Sequence, residues 1–168
     1  HLRPRRQRQM CIRDRFGTDV PQTQDSIENF SNKIRAGKAA QVTDEFMIVA
    51  RVESLILGQG EKDALERSKA YIEAGADAIM IHSREKSPEE IMSFCNSYNQ
   101  FENRPPLVVV PSSYNSIYES ELEALGANMI IYANQLIRGA YPAMVRVAES
   151  ILENGRSAEC DDFIMPIK

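Results

Sequence analysis

The stretch "AGADAIMIH" at residues 74–82 decides the fold, because the same pattern returns as "LGANMIIYA" at residues 125–133. In each stretch a glycine ends a helical pattern, an alanine and an Asp or Asn follow, and an apolar run then begins. Gly75 and Gly126 suit the left-handed backbone position that commonly follows a helix. The repeat therefore predicts two helix-to-strand junctions of the same construction.

Outward from these junctions, apolar runs alternate with helical patterns along the chain. The predicted strands are 46–52, 78–82, 107–110 and 129–133, and the predicted helices are 25–37, 61–74, 88–100, 117–125 and 139–154. The strand runs alternate little between apolar and polar residues, as expected for parallel strands covered on both faces. One helix followed by four strand–helix units predicts an α/β protein with a parallel sheet.

Two architectures accept this order of elements. One is a small doubly wound sheet, and the other is four of the eight units of a (βα)8 barrel. The pattern alone does not separate them. At the helix starts, Asp25 or Ser26 is the predicted N-cap of the first helix, while Ser87 would cap the third with Pro88 in its first position. Tyr132, Tyr141 and Met144 are predicted as core residues.

Composition excludes several classes of protein. The chain has 168 residues, of which 43% are hydrophobic, and this suits one globular domain with a core. No apolar run approaches the roughly 20 residues that a membrane span requires. Cys11, Cys95 and Cys160 are widely separated, which argues against a disulfide framework or a zinc site and favours a reducing, cytoplasmic location.

Residues 1–15, "HLRPRRQRQMCIRDR", differ in charge from everything that follows. They hold six arginines and one aspartate, and the remaining residues hold 14 basic and 23 acidic side chains, a net charge of −9. The leader resembles translated adapter sequence and shows no apolar periodicity. We expect residues 1–15 to be non-native and disordered, and the fold to lie in residues 16–168. An ordinary disordered extension and a nucleic-acid-binding or targeting leader are the alternatives.

Polar residues follow the predicted strands at their carboxyl ends, which is where both architectures bind ligands. Side chains alternate along a strand, so Arg51 and Glu53 share one face at the end of the first strand. The other ends carry His82-Ser83, Pro111-Ser112-Ser113 and Asn134. The ordinary structural interpretation is an ion pair between Arg51 and Glu53, a structural histidine, and serines that serve as loop or cap residues.

Four motifs together resemble the phosphoenolpyruvate mutase family of the isocitrate lyase superfamily. They are "VARVESLILGQG", "AYIEAGADAIMIHSREKSPEEI", "PPLVVVPSSYNS" and "IIYANQLIRGAYPAM", in the family's order. The resemblance implies a magnesium-dependent (βα)8 barrel of TIM type, of which this chain matches only strands five to eight. It therefore implies that the chain is a fragment, in which residues 16–168 form a partial barrel domain, the C-terminal half of the barrel. Gln135 departs from the family pattern, which commonly has histidine there.

The resemblance also implies an activity, the interconversion of phosphoenolpyruvate and phosphonopyruvate in phosphonate biosynthesis. By match to the family motifs, Arg51 and His82 are the catalytic and substrate-binding residues that contact the phosphoryl group. A permanently charged guanidinium binds two phosphoryl oxygens at once, and a nearby dianion favours protonated histidine. Mg²⁺ is the implied cofactor, with its direct ligands in the half of the barrel that this sequence does not match. Glu53 is a candidate for bonding a metal-bound water.

Alternatives remain open from the sequence. Phosphonopyruvate hydrolase shares much of this half, and the gating loop that would distinguish it lies outside the match. A carbon–carbon lyase of the superfamily is a further possibility, and a non-catalytic half-barrel binding domain belongs to another class. The expected partner is the small-molecule substrate, with no nucleic acid and no membrane, and the full-length protein is expected to be a homo-oligomer. The chain itself is expected to be inactive and to associate through open sheet edges.

Overall fold

The structure, a computed structural model, describes residues 23–166 and therefore excludes the predicted leader, 1–15. Its elements alternate along the chain much as the sequence predicts. They are α1 (Ile27–Ala39), β1 (Val49–Val52), α2 (Gly60–Glu73), β2 (Ala78–Ile81), α3 (Glu89–Tyr98), β3 (Leu107–Val109), α4 (Glu119–Ala124), β4 (Met129–Ile130), α5 (Gln135–Asn154) and a short 3-10 helix (Ala158–Cys160).

The described strands form a single parallel sheet in the order β1-β2-β3-β4. Each strand therefore pairs with the next one along the chain, and each connection carries a helix, as parallel pairing requires. The predicted α/β fold with a parallel sheet is confirmed. Within residues 23–166, β1 and β4 are the edges of this sheet.

The two faces of the sheet are packed differently. The larger core lies between the sheet and the helices and includes the fully buried Phe94, Tyr98 and Tyr114. On the other face, a smaller cluster consists of Ala78, Met80, Val108 and Val110. Central strands β2 and β3 are buried on both faces, as predicted. The prediction is wrong for the edge strands, because Val49 is 42% exposed and Met129 is 56% exposed.

The two repeated junctions fold alike. Gly75 and Gly126 have φ angles of 101° and 88°, in the region that favours glycine. A side chain at Gly126 would also collide with Asn99, whose Oδ1 lies 2.5 Å from the position of a Cβ atom. The glycine prediction is therefore confirmed at both positions.

The polar residue of each junction ties its strand to the preceding one. Asp77 donates its backbone N–H to Ile48 O at 2.8 Å and accepts the Ile48 N–H on Oδ2 at 2.7 Å. Asn128 makes the equivalent pair with Leu107, at 2.8 and 2.9 Å. Lys38 Nζ lies 2.9 Å from Asp77 Oδ1. The Asp or Asn of the repeat thus extends the ladder by a side-chain bond. These bonds lie where the strands begin, here called the amino edge of the sheet, and the carboxyl edge is where the strands end.

Helix starts depart slightly from the predictions. Ser26 caps α1, as one of the two candidates. Pro88 is itself the N-cap of α3, so the helix begins one residue later than predicted and Ser87 lies outside it. Helix α5 begins at Gln135, four residues before the predicted start, and contains Pro142 in its interior.

Helix α5 is amphipathic, yet none of its residues is buried. Tyr141 and Met144 are 63% and 56% exposed, and Tyr132 before the helix is 54% exposed, so their prediction as core residues is wrong. The sequence pattern identifies an apolar face but not what covers it. Within the described residues, α5 contacts mainly the short segment after it, where Arg146 lies over the Phe163 ring at 3.9 Å.

Two of the predicted free cysteines lie in the described part of the chain. Cys95 and Cys160 are both buried and neither forms a disulfide. Burial raises the pKa of the Cys95 thiol to about 11. None of the helices between residues 23 and 166 has the length and apolar character needed to cross a membrane.

Candidate functional site

The ends of β1 and β2 bring the candidate residues onto neighbouring strands. Arg51 pairs with Met80 in the parallel register, and Val52 pairs with Ile81. Glu53 and His82 each follow the second of these pairs, beyond the last residue of their strands. Because side chains alternate, Arg51 and Met80 lie on the same face, and continued alternation puts His82 there too. This is the face opposite the larger core.

Arg51 and Glu53 form an ion pair at the end of β1. The Arg51 Nε–H donates to Glu53 Oε1, and the two side chains are only 22% and 28% exposed. The structural alternative from the sequence is therefore present in the fold. A role for Arg51 in binding a substrate stays a prediction.

Two buried serines directly follow the candidate residues. Ser54 Oγ donates to Asp63 Oδ2 at 2.7 Å, and Ser83 Oγ donates to Glu90 Oε2 at 2.5 Å. Both serines are completely buried. Ser83 lies in a loop, as predicted, but its burial was not predicted, and Ser54 was not among the candidate residues. The available signal was a serine after each strand end with a carboxylate in the first turn of the next helix.

The ends of the other two strands carry polar atoms of a different kind. Ser112 Oγ and Asn134 Oδ1 are buried and make no hydrogen bond within the described residues. Tyr114, by contrast, accepts the Val110 N–H on its hydroxyl oxygen at 3.2 Å. A buried polar atom without a partner costs on the order of 1–3 kcal/mol, so Ser112 and Asn134 are candidates for contacting a ligand.

The described residues do not supply a magnesium site. Between residues 23 and 166, no three or more His, Cys, Asp or Glu side chains converge so as to hold a metal ion. Glu53 is already bonded to Arg51. Its proposed bond to a metal-bound water stays a prediction.

A cleft lies elsewhere, beside β4 and α4. Its lining includes Arg104, Glu119, Asn128 and Tyr132. Asn128 belongs to the amino edge of the sheet, so much of this cleft lies away from the carboxyl ends of β1 and β2. We assign the candidate site to the strand ends, because Arg51 and His82 carry the chemistry that a phosphoryl group requires.

The chain, with its four-stranded parallel sheet, has the fold seen in solved structures of the phosphoenolpyruvate mutase and isocitrate lyase superfamily. It superposes on 2,3-dimethylmalate lyase, a described member of that superfamily, with a TM-score of 0.70 at 21% identity, over 84% of this chain and 49% of that one. At that identity the likeness shows the fold alone.

The family follows from closer matches. The protein-family model described as Phosphoenolpyruvate phosphomutase matches residues 9–152, and the chain belongs to this family. The match begins inside the predicted leader, 1–15, whose non-native status stays a prediction.

Similar proteins include both a mutase and a hydrolase. The phosphonopyruvate hydrolase of Variovorax sp. (strain Pal2) is 41% identical over 90% of this chain and 51% of its own length. The phosphoenolpyruvate phosphomutase of Tetrahymena pyriformis is 37% identical over 84% of this chain and 46% of its own. The crystal structure of phosphoenolpyruvate phosphomutase from Streptomyces platensis subsp. rosaceus superposes with a TM-score of 0.80 at 38% identity, over 90% of this chain and 53% of that one. The chain thus spans about half the length of these relatives.

Proposed function

We propose that the protein interconverts phosphoenolpyruvate and phosphonopyruvate. The reaction breaks the phosphorus–oxygen bond of one and forms a phosphorus–carbon bond at C3 of the same three-carbon unit. The observation that carries the proposal is the placement of Arg51 and His82 at adjacent strand ends, on one face of the sheet, in a chain of the phosphoenolpyruvate phosphomutase family.

The residues suit phosphoryl transfer through a loose, metaphosphate-like transition state, in which negative charge spreads over the phosphoryl oxygens. Arg51 binds those oxygens through its guanidinium, while Glu53 fixes the orientation of that group at Nε. His82 donates a second hydrogen bond from the neighbouring strand. Both residues hold the detached group between the oxygen that it leaves and the carbon that it joins.

Magnesium is the proposed cofactor, supported by the structure of phosphonopyruvate hydrolase in complex with oxalate and Mg²⁺, which is 40% identical to this chain. The described residues offer no ligand set for it. We therefore assign no step to the metal here, and we propose that its ligands belong to the part of the barrel that residues 23–166 do not include.

Phosphonopyruvate hydrolase is the second candidate, favoured by the 41% identity to the Variovorax enzyme. In that reaction a water oxygen bonds to phosphorus, the phosphorus–carbon bond breaks, and C3 takes up a proton to give pyruvate. Arg51 and His82 would hold the same phosphoryl group in both reactions. The two functions differ only in whether water reaches it.

Phosphorus NMR of phosphonopyruvate with Mg²⁺ tests the proposal. We expect the chain to perturb the phosphonopyruvate resonance, and Arg51→Ala and His82→Ala to abolish the effect. Arg35→Ala is the matched control, because Arg35 is an exposed arginine on α1. An unperturbed resonance with the unsubstituted chain, or an equal effect with Arg51→Ala, would overturn the proposal. If phosphoenolpyruvate is formed, the hydrolase function is excluded. If phosphate is formed without phosphoenolpyruvate, the mutase function is excluded.

We also propose that residues 16–168 are a partial barrel domain with little turnover of its own. The support is the half-length match to the relatives and the two strand edges of the described sheet. Open edges and an exposed apolar helix face favour association of this chain. For the whole protein we propose a homo-oligomer, as the family resemblance implies, in the cytoplasm. A monomeric chain with a sharp, cooperative melt in analytical centrifugation and calorimetry would contradict the partial-barrel proposal. A non-catalytic binding domain would then become the better interpretation.

A further inference from the structure

Serine hydroxyls buried completely are uncommon in the described part of this chain, and their positions are informative. The buried polar residues are Ser31, Ser54, Ser68 and Ser83. Ser68 bonds to Ala64 O within its own helix, which is an ordinary way to satisfy a hydroxyl. Ser54 and Ser83 instead lie one residue after Glu53 and His82, so both adjoin the candidate site.

Both serines make the same bond. Each donates its hydroxyl to a carboxylate in the first turn of the helix that follows its strand, Asp63 on α2 and Glu90 on α3. The carboxylate accepts only, so the serine must be the donor. A bond with one ionised partner is shorter and stronger than a neutral one. The same device thus recurs on two successive strand–helix units.

The hydroxyl oxygens are also acceptors, which fixes their orientation. Ser54 Oγ accepts from Gln24 Nε2 at 3.1 Å, and Ser83 Oγ accepts from the Glu85 N–H at 3.0 Å. On the α2 side, Arg67 Nε donates to Asp63 Oδ2 at 2.8 Å. Neither carboxylate–serine bond is therefore an isolated surface contact.

The bonds lie where the sheet no longer constrains the backbone. Strand β1 ends at Val52 and β2 ends at Ile81, so Glu53 and His82 are beyond the last residue of the ladder. Beyond the ladder the Glu53 carbonyl accepts the Leu57 N–H at 3.0 Å, and in both units the next residue is a buried serine whose side chain is bonded. If the backbone at that serine could move, the site residue before it would move as well.

We propose that two serine–carboxylate pairs, Ser54–Asp63 and Ser83–Glu90, are positioning residues for the phosphoryl site. The first holds the end of β1, with Arg51 and Glu53, and the second holds His82. They act through the site residues and do not touch the substrate. The inference rests on the proposed function for its purpose, while the ordering of His82 is measurable without any substrate.

The imidazole spectrum of His82 is the primary test. The chain has two histidines, His1 and His82, so His82→Ala assigns the signals of an untagged sample. The spectrum is recorded well above the ordinary histidine pKa of about 6.5, where one ring nitrogen carries the proton and the other does not. We expect two widely separated nitrogen signals. Ser83→Ala and Glu90→Ala should broaden them and draw them together, as the ring samples both tautomers.

Two further variants separate positioning from simple loss of stability. Glu90→Gln keeps an accepting oxygen and should restore most of the separation seen with Glu90. Ser93→Ala removes a similar bond, from Ser93 Oγ to Glu61 Oε2 at 2.5 Å, which joins two helices and adjoins no strand end. It should leave the His82 signals unchanged. An unchanged His82 spectrum in folded Ser83→Ala, or equal changes in Ser93→Ala, would overturn the proposal.

Phosphonopyruvate titrations distinguish failure of this inference from failure of the proposed function. We expect Ser54→Ala and Ser83→Ala to weaken binding on the order of tenfold, about 1.4 kcal/mol. If both variants bind as well as the unsubstituted chain, the positioning role is wrong and the function stands. If the His82 spectrum responds but the unsubstituted chain binds nothing, the serine–carboxylate pairs still order the strand end and the proposed function is wrong.

Discussion

Polar residues have opposite roles at the amino edge of the sheet, where the strands begin, and at the carboxyl edge, where they end. At the amino edge, Asp77 and Asn128 each bond twice to the backbone of the preceding strand, and in doing so they hold the sheet together. At the carboxyl edge, Ser54 and Ser83 bond to the following helices, and Arg51 bonds to a neighbouring carboxylate. Amino-edge polar residues therefore support the strands, whereas carboxyl-edge residues are themselves supported. The difference predicts that substitutions at one edge should change stability and at the other should change binding.

The largest effect is expected for Arg51→Ala at the carboxyl edge. Loss of a guanidinium that binds phosphoryl oxygens should weaken phosphonopyruvate binding about 100-fold, because truncating a charged hydrogen-bonding partner costs several kcal/mol. The melting temperature should change little, since the side chain lies outside the larger core. Calorimetric titration and thermal melts measure the two quantities. A large drop in melting temperature without weaker binding would contradict the prediction that carboxyl-edge substitutions affect binding and not stability.

Asp77→Ala should show the reverse pattern. It leaves the Ile48 N–H without its side-chain acceptor and removes the partner of Lys38. We expect the free energy of unfolding to fall by about 2 kcal/mol. Urea denaturation measures this. Asp77→Asn is the control, because Asn128 performs the same task at the other junction, and it should cost less than half as much. Equal losses would show that the charge, rather than the acceptor, matters.

The amino edge should also confer acid sensitivity. Burial opposes ionisation of Asp77, but the Ile48 N–H and the Lys38 ammonium together lower the pKa of its carboxyl below the ordinary value of 3.8. A lowered folded-state pKa adds stability above the unfolded pKa, and that stability is lost as pH falls through the folded pKa. Urea midpoints should therefore fall as pH drops below about 4. The fall should be shallower in Asp77→Asn, and an identical profile would contradict this assignment.

The smallest effect is expected for Asn128→Asp, which makes the second junction resemble the first. An aspartate retains the oxygen that accepts the Leu107 N–H, so the free energy of unfolding at neutral pH should change by only about 0.5 kcal/mol. The variant should acquire additional acid sensitivity in the same urea series. A loss as large as that of Asp77→Ala would mean that the two junctions are not equivalent.

Much of the fold could be predicted because local chemistry determines it. The glycine, the Asp or Asn and the apolar run are adjacent in sequence, so their joint role is readable from residues 74–82 alone. Strand β1 is shorter than predicted because Ile48 bonds to Asp77 before the regular ladder begins. Helix α5 begins four residues before the predicted start, because the Arg138 N–H bonds to Asn134 O at 2.9 Å and closes a first turn ahead of Gly139.

The site could be predicted only in part. Strand alternation indicated that Arg51 and Glu53 share a face, and the structure pairs them. The serine after each strand end and the carboxylate in the next helix were visible in the sequence, but their pairing was not, because the two bonds span nine and seven residues and follow no regular period. The residue type also does not show whether a serine is buried or exposed. Its burial depends on how the loop folds against the next helix, which is a property of the packed structure.

Cys95 gives a way to time the opening of the core. Thiol reagents attack the thiolate form of cysteine. Cys95 has a pKa of about 11 and no exposed surface, so almost no Cys95 thiolate is accessible to solvent at neutral pH. The residue lies on α3, against the larger core. Reaction at Cys95 therefore requires α3 to separate from its neighbours, and the labelling rate of this one sulfur measures how often that happens. Cys95 is therefore a built-in probe of how often the larger core opens.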